Sequence, residues 1–308
     1  MLKKSKSKVG QPGNKWVYAL LMAFPVLHFC VFYVYVNIKS IAMAFQNVDP
    51  VTGGITWTFA NFAEQFRFLA TGPAMNMLRV SLLCYAIHLV VGLTTGLLFA
   101  YYVYKKRAMS GVFRVLMFLP SIIPAIVLVT IYRYFADNAF PEIISGLFGL
   151  TETTQGLFSN KDTRLAVILF YDIFVSFGTS VLVYTNKMDS IDPSLTDAAK
   201  IDGATQFKEF WYIVLPMTFS TISVFLVTGV ASIFMNQMFL FSFYGWAPPA
   251  DLDTFGYYFF RKTSEATTYN DKQALCSLSA LGLIFSAIAI PLTFGVRYLL
   301  HRYGPKED

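Results

Sequence analysis

Six stretches of this chain are apolar on every side. Trp16–Ile38, Val80–Tyr104, Val115–Tyr132, Leu165–Tyr184, Tyr212–Ala250 and Ala274–Val296 hold one formal charge among them, Asp172. A hydrocarbon core about 30 Å thick is crossed by about 20 helical residues at 1.5 Å each. A helix lying on a water-exposed surface would carry a polar stripe every 3.6 residues, and these runs carry none. The expectation is an all-α polytopic membrane protein with six transmembrane helices. The third run is short and contains Pro120 and Pro124; the fifth is long enough for a span plus an uncharged extension. Charged residues make up 14% of the chain, against about 25% in soluble domains. That composition excludes a disordered chain. Three well-separated cysteines, Cys30, Cys84 and Cys276, exclude a disulfide scaffold and read as buried small hydrophobes.

Charge placement gives an orientation. Lys3, Lys4, Lys6, Lys8 and Lys15 precede the first run. Lys105, Lys106, Arg107 and Arg114 follow the second, Lys187, Lys200 and Lys208 follow the fourth, and Arg297, Arg302 and Lys306 close the chain. Positive residues collect on the cytoplasmic side, so both termini are expected there. The first run is too long for a cleaved signal peptide and reads as a retained signal-anchor. Three loops then face outward. Gln46–Met75 carries a Gly53-Gly54 turn and room for a short surface helix. Ala136–Asp162 carries Asp137, Glu142, Glu152 and Asp162, and Phe243–Gln273 carries Pro248-Pro249 and Asp251.

Catalytic patterns are missing. There is no phosphate-binding glycine loop, no H-E-x-x-H pair and no Cys/His cluster. The spans hold no series of acids for a proton relay. The three histidines, His28, His88 and His301, do not group by spacing. A single membrane histidine ordinarily serves an interhelical hydrogen bond. No catalytic residue and no metal site is expected, and the chain shows no energy source of its own.

The loop between the fourth and fifth runs is the informative one. Pro193-Ser194 can start a helix, and Leu195, Ala198, Ala199 and Ile201 line one side of it. Gly203 takes positive φ cheaply and can end it. Thr205 can cap a second helix with Lys208-Glu209 on its wet side. Phe207, Phe210 and Ile213 give that helix a sticky stripe, and Pro216 bends the approach to span five. On physics alone this is equally an amphipathic interfacial connector.

A resemblance changes the weighting between the two. Asp197-Ala198-Ala199, three residues, Gly203, then nine residues to Ile213-x-Leu215-Pro216 resembles the signature loop of the transmembrane subunits of binding-protein-dependent ABC importers. That family's pattern is E-A-A, three residues, G, about nine residues, I-x-L-P. The Asp202-Gly203-Ala204 form is most similar to the carbohydrate-uptake, maltose-permease-like branch. Phe118-Leu119-Pro120 with Pro124 ahead of Tyr132-Arg133-Tyr134-Phe135 agrees with it. Two departures stand out: Asp197 is one methylene shorter than the family's Glu, and Ser220 replaces a proline.

The resemblance implies a type I ABC importer permease fold with a cytoplasmic coupling helix. Residues 1–15 would be a basic cytoplasmic tail and 16–74 the first transmembrane helix with its external loop. Residues 75–300 would be the importer transmembrane domain, its coupling loop at 188–216, and 301–308 a cytoplasmic tail. Asp197, Ala198, Ala199, Asp202, Gly203, Ala204, Phe207, Leu215 and Pro216 would meet an ATPase subunit, small residues allowing close approach. The chain itself would bind no cofactor; ATP and Mg would sit on two partner ATP-binding subunits. A second homologous permease, an extracytoplasmic solute-binding protein and a sugar complete the partners, in a prokaryotic plasma membrane. No nucleic acid is implied.

Polar side chains inside spans mark a substrate path. The candidates are Asp172 with Tyr171 and Ser176, Asn236-Gln237, and Tyr244, with Trp246 beyond. For Asp172 a structural interhelical hydrogen bond stays open, and for Asn236-Gln237 helix-to-helix adhesion. Gly92-x-x-x-Gly96 fits either an internal contact or a subunit interface. Two other functions stay open. One is an ABC importer permease for a phosphorylated polyol or a peptide. The other is a secondary transporter, whose ion site would have to rest on Asp172 alone.

Overall fold

The computed structural model describes residues 15–49, 52–148 and 156–305. The lysines before Lys15, Glu152 and Lys306 lie outside the described residues. In chain order the elements are α1 (Lys15–Ala44), β1 (Gln46–Val48), β2 (Ile55–Trp57), α2 (Ala60–Leu69), α3 (Gly72–Tyr104), α4 (Ser110–Ile122) and α5 (Ala125–Phe148). They continue with α6 (Lys161–Asp189), α7 (Pro193–Ile201), α8 (Gln206–Ser232), α9 (Leu240–Tyr244), α10 (Phe255–Thr268) and α11 (Lys272–Tyr303). Five of them, α1, α3, α6, α8 and α11, are long and apolar enough to span a membrane.

Two of the six apolar runs are broken in the structure. The third run is not one straight helix: α4 and α5 meet at a 104° bend. Pro124 drives Ile123 into an extended conformation (ψ 135°), so the helix stops and restarts. The fifth run is helical only to Ser232. Past it the backbone turns through Met238 and Phe239 at φ +49° and +57° before α9. The all-α expectation also missed a small antiparallel hairpin, Gln46–Val48 against Ile55–Trp57, turning at Gly53 (φ +69°).

The chain divides into two compact units. One comprises residues 1–66 and 266–284. Its described part is held by amides. Asn61 Nδ2 donates to the carbonyls of Ala44 and Gln46 (3.1 and 2.8 Å), and Asn61 Oδ1 accepts from Gln273 Nε2 (3.1 Å). Gln65 Nε2 donates to Ser277 Oγ at 2.7 Å. Buried amides need such partners. The membrane-length window of α1 buries nothing, so Cys30 is exposed and the expected burial of all three cysteines fails there.

The other unit comprises residues 67–265 and 285–308. Helix α6 is its spine. Toward the N-terminal end of α6, Ile168 and Tyr171 pack with Val129, Leu240, Phe243 and Tyr257. Toward its C-terminal end, Val181, Tyr184 and Met188 pack with Leu97, Ala100, Phe210 and Val214. Gly178 allows the crossing of α4, because a Cβ there would collide with the carbonyl of Met117. A Cβ on Gly96 would stand 3.4 Å from the Tyr184 ring, while one on Gly92 would stand nearest the His88 ring of its own helix. Within the chain, the small-residue pair therefore makes an internal contact at one of its two positions.

Candidate functional site

Local rules build the loop after α6. Asp192 caps α7, its Oδ1 accepting the Ser194 amide at 2.9 Å. That backbone hydrogen bond holds the Asp192 carboxyl below the usual carboxylate range. Pro193 takes the first helical position. At the other end Gly203 adopts φ +75°. The Gly203 amide bonds the Lys200 carbonyl (3.1 Å) and the Ala204 amide the Ala199 carbonyl (2.9 Å), a closing pattern that needs the left-handed residue. Thr205 caps α8, its hydroxyl accepting from the Lys208 amide. A Cβ on Gly203 would meet nothing within 4 Å, so backbone angle, not space, demands glycine there.

The predicted coupling residues divide into two sets. Asp197, Ala198, Asp202, Gly203 and Phe207 are exposed, and Ala199 and Ala204 half-buried. Leu195 and Ile201 extend the same outward surface. Leu215 instead packs against the buried cluster that holds Val214 and Phe210, and Pro216 is half-buried in α8. The expected aromatic stripe does not form. Phe207 is exposed, but Phe210 is buried in the cluster that holds Tyr184 and Val214, at the start of a π-helical turn, Phe210–Val214. Glu209, expected on the wet side, is 3% exposed and paired with Lys105. Asp197 holds Lys200 on its own helix at 2.7 Å.

A cavity of about 320 Å³ opens between α3, α6 and α8. Asp172 is buried in its wall and its Oδ2 lies 3.1 Å from His88 Nδ1. His88 starts a π-helical turn, His88–Gly92, which widens α3 at this level. Ser176 lines the cavity, but its hydroxyl donates back to the Asp172 carbonyl (2.8 Å), not to the carboxylate. Asn236 reaches the wall from the non-helical break after α8. Its Oδ1 accepts the Met238 amide (2.9 Å), and its carbonyl accepts from Thr254 Oγ1 (3.1 Å). Irregular backbone at membrane depth is tolerated where it lines a cavity. Gly256 lets α10 rest on Met235 and Asn236, whose backbone a Cβ would strike. Gly229 leaves room for the Tyr85 ring at 2.8 Å from where a Cβ would stand.

The remaining pathway candidates fall elsewhere. Tyr171 is fully buried, its ring 5.0–5.3 Å from those of Tyr132, Phe239 and Phe243. It reaches only the neighbouring groove that shares His88 and Asp172 with the cavity. Gln237 is half-buried in the turn before α9 and lines neither space. Tyr244 lies under Arg133, 5.9 Å from its ring centroid, apart from the cavity. Asn236 and Gln237 were expected inside the fifth span; both lie beyond its helical end.

Residues 92–304 match the family described as the binding-protein-dependent transport system inner membrane component. The chain belongs to this family. The permease is 23% identical to Protein LplB of Bacillus subtilis over 296 residues, covering 94% of this chain and 90% of that one. It is 27% identical to the galactooligosaccharides transport system permease protein GanP of the same organism, covering 88% and 68%. A solved bacterial ABC transporter involved in the import of the acidic polysaccharide alginate has the same fold, with a TM-score of 0.77 at 18% identity over 94% of this chain. The permease is thus a multi-pass membrane subunit with the fold of an ABC importer.

Sequence reasoning missed four features of this permease. His88 was set aside as ungrouped, and nothing local links it to a residue 84 positions away. The Lys105–Glu209 pair spans 104 positions. Gly178 and Gly256 had no motif around them. For Gly178 a glycine inside an apolar run was an available signal, since it marks close backbone approach.

Proposed function

We propose that the permease forms half of the translocation path of an ATP-driven importer for a sugar or oligosaccharide. A second homologous permease would supply the other half. Two ATP-binding subunits holding ATP and Mg would drive the cycle, and an extracytoplasmic binding protein would deliver solute. The names of the relatives support a carbohydrate substrate, and family membership supports the binding protein. Basic residues at the α3, α6 and α11 ends nearest the loop support both termini being cytoplasmic.

One observation carries the reading: a capped helix, α7, closed by the left-handed Gly203, presents Leu195, Ala198 and Ile201 outward, and Phe207 follows, exposed, at the start of α8. Exposed apolar side chains on a short polar loop are a docking surface. In this reading closure of the ATP-binding subunits moves the loop, and α8, which begins in it, carries the movement to the cavity. Asp172, His88, Ser176 and Asn236 would meet the solute there. Sugar hydroxyls both donate and accept, matching a carboxylate, an imidazole and an amide. Tyr171, Gln237 and Tyr244 act as packing around that path.

The test is uptake of a labelled oligosaccharide by vesicles holding all the subunits. Gly203→Asp and Ala199→Arg should insert and assemble normally yet lower ATP-driven uptake by about tenfold or more, equivalent to about 1.4 kcal/mol of lost coupling. Uptake at the unmodified rate in both variants would refute the coupling assignment.

A further inference from the structure

The cytoplasmic end of α3 is bolted to the coupling loop by a buried ion pair. Lys105 follows the last residue of α3, and its Nζ lies 2.7 and 2.9 Å from the two carboxylate oxygens of Glu209. The side chains are 17% and 4% exposed. The Tyr101 and Tyr104 rings lie 5.8 Å from the ammonium and complete its surroundings. Two further links join the same places: Tyr101 donates its hydroxyl to the Gln206 carbonyl at 3.0 Å, and Arg107 Nη2 donates to Gln206 Oε1 at 2.5 Å.

Such a pair is a poor source of net stability, because desolvating two charges offsets their attraction. What it does enforce is register. Any slide of the loop against α3 would leave a buried charge without its partner, a state far costlier than the paired one. The same α3 carries Ser81, Tyr85, His88 and Leu89 to the cavity wall. Helix α8 reaches that wall by direct chain continuity from the loop; α3 does not, and needs a side-chain link.

We propose that Lys105 and Glu209 are a positioning pair that makes α3 travel with the coupling loop, so that both walls of the cavity move in one stroke. This rests on the coupling reading of the loop given above.

The assembled complex in lipid nanodiscs tests it, with ATP plus vanadate as the probe. In a background of Cys30→Ser, Cys84→Ser and Cys276→Ser, a single reporter cysteine replaces Leu89 on α3 or Thr228 on α8. Its labelling rate by a hydrophilic maleimide is read with and without the probe. With the pair intact both reporters should change by at least about fivefold, the low end of ordinary coupling energies. The double variant Lys105→Met/Glu209→Gln leaves no buried charge unpaired. It should lose the change at Leu89→Cys and keep it at Thr228→Cys, and the reversed pair Lys105→Glu/Glu209→Lys should recover it. A retained change at Leu89→Cys in the double variant overturns the proposal. Loss at both reporters also overturns it, because the pair would then serve the fold alone. If neither reporter responds with the pair intact, the coupling reading falls and the proposal falls with it.

Discussion

The loop around Gly203 and the cavity around Asp172 are built by opposite means. The loop is local. Its cap, its proline and its closing hydrogen bonds join residues two to five positions apart. The cavity is assembled. His88 comes from α3, Asp172 from α6, and Asn236 from a break beyond α8. In the proposed cycle the surface to be gripped is specified by backbone geometry within one short segment, and the surface that would open and close is divided among separate elements. The difference teaches where substitutions should be tolerated: side chains in the loop are replaceable if the backbone survives, whereas in the cavity each polar group depends on a distant partner.

The strongest challenge to that contrast is at Gly178. Leucine there would collide with the Met117 backbone, and such overpacking costs about 1–3 kcal/mol. The purified permease should lose several degrees of thermal midpoint, whereas Gly203→Ala, meeting open space, should cost only the strain of its φ, about 1 kcal/mol. Equal losses would erase the distinction between assembled and local regions.

His88→Ala and Asp172→Asn probe the cavity more gently. The first removes one partner of a part-buried hydrogen bond and the second removes the charge of the other partner, each worth about 1 kcal/mol net. Oligosaccharide KM should rise several-fold in each, and the double variant should be little worse than either single one. Additive effects would show that the two side chains act independently.

A third measurement addresses the loop-rich opposite end. Asp251 accepts hydrogen bonds from Arg164 Nε (3.1 Å) and Nη2, and that pairing pulls its carboxyl below the ordinary range. A carboxylate whose folded pKa is depressed adds stability above its unfolded value, about 3.9. That stability disappears as pH falls through the lower folded value. Melting curves between pH 7 and pH 3 should therefore show a steeper acid loss for the unmodified protein than for Asp251→Asn. Parallel curves would show the pair to be idle.

The smallest effect is expected at Lys200→Ala. Its contact with Asp197 lies between side chains 59% and 63% exposed, where solvent screens the attraction. Neither the melting midpoint nor ATP-driven uptake should change measurably. A clear fall in uptake would mean that Lys200 itself touches a partner.

Much of this molecule was legible from the order of its residues, and the reason lies in range. Membrane-length apolar runs, a proline that starts α7 and a glycine that ends it all act over a few residues, through hydrocarbon thickness, ring closure and allowed φ. The loop motif was readable for the same cause. The end of the fifth span was not: Ile233–Phe239 is as free of charge as the helix before it, and only tertiary packing, with α10 lying on Met235–Asn236, shows the backbone leaving the helix there. Nor could spacing reveal that Glu209 is buried on Lys105 or that His88 meets Asp172. Hydrophobicity is a property each residue brings along, so the sequence by itself settled what crosses a membrane and where the chain turns. Which polar groups share a buried site depends on helices that meet only after folding, and that was decided by the tertiary structure.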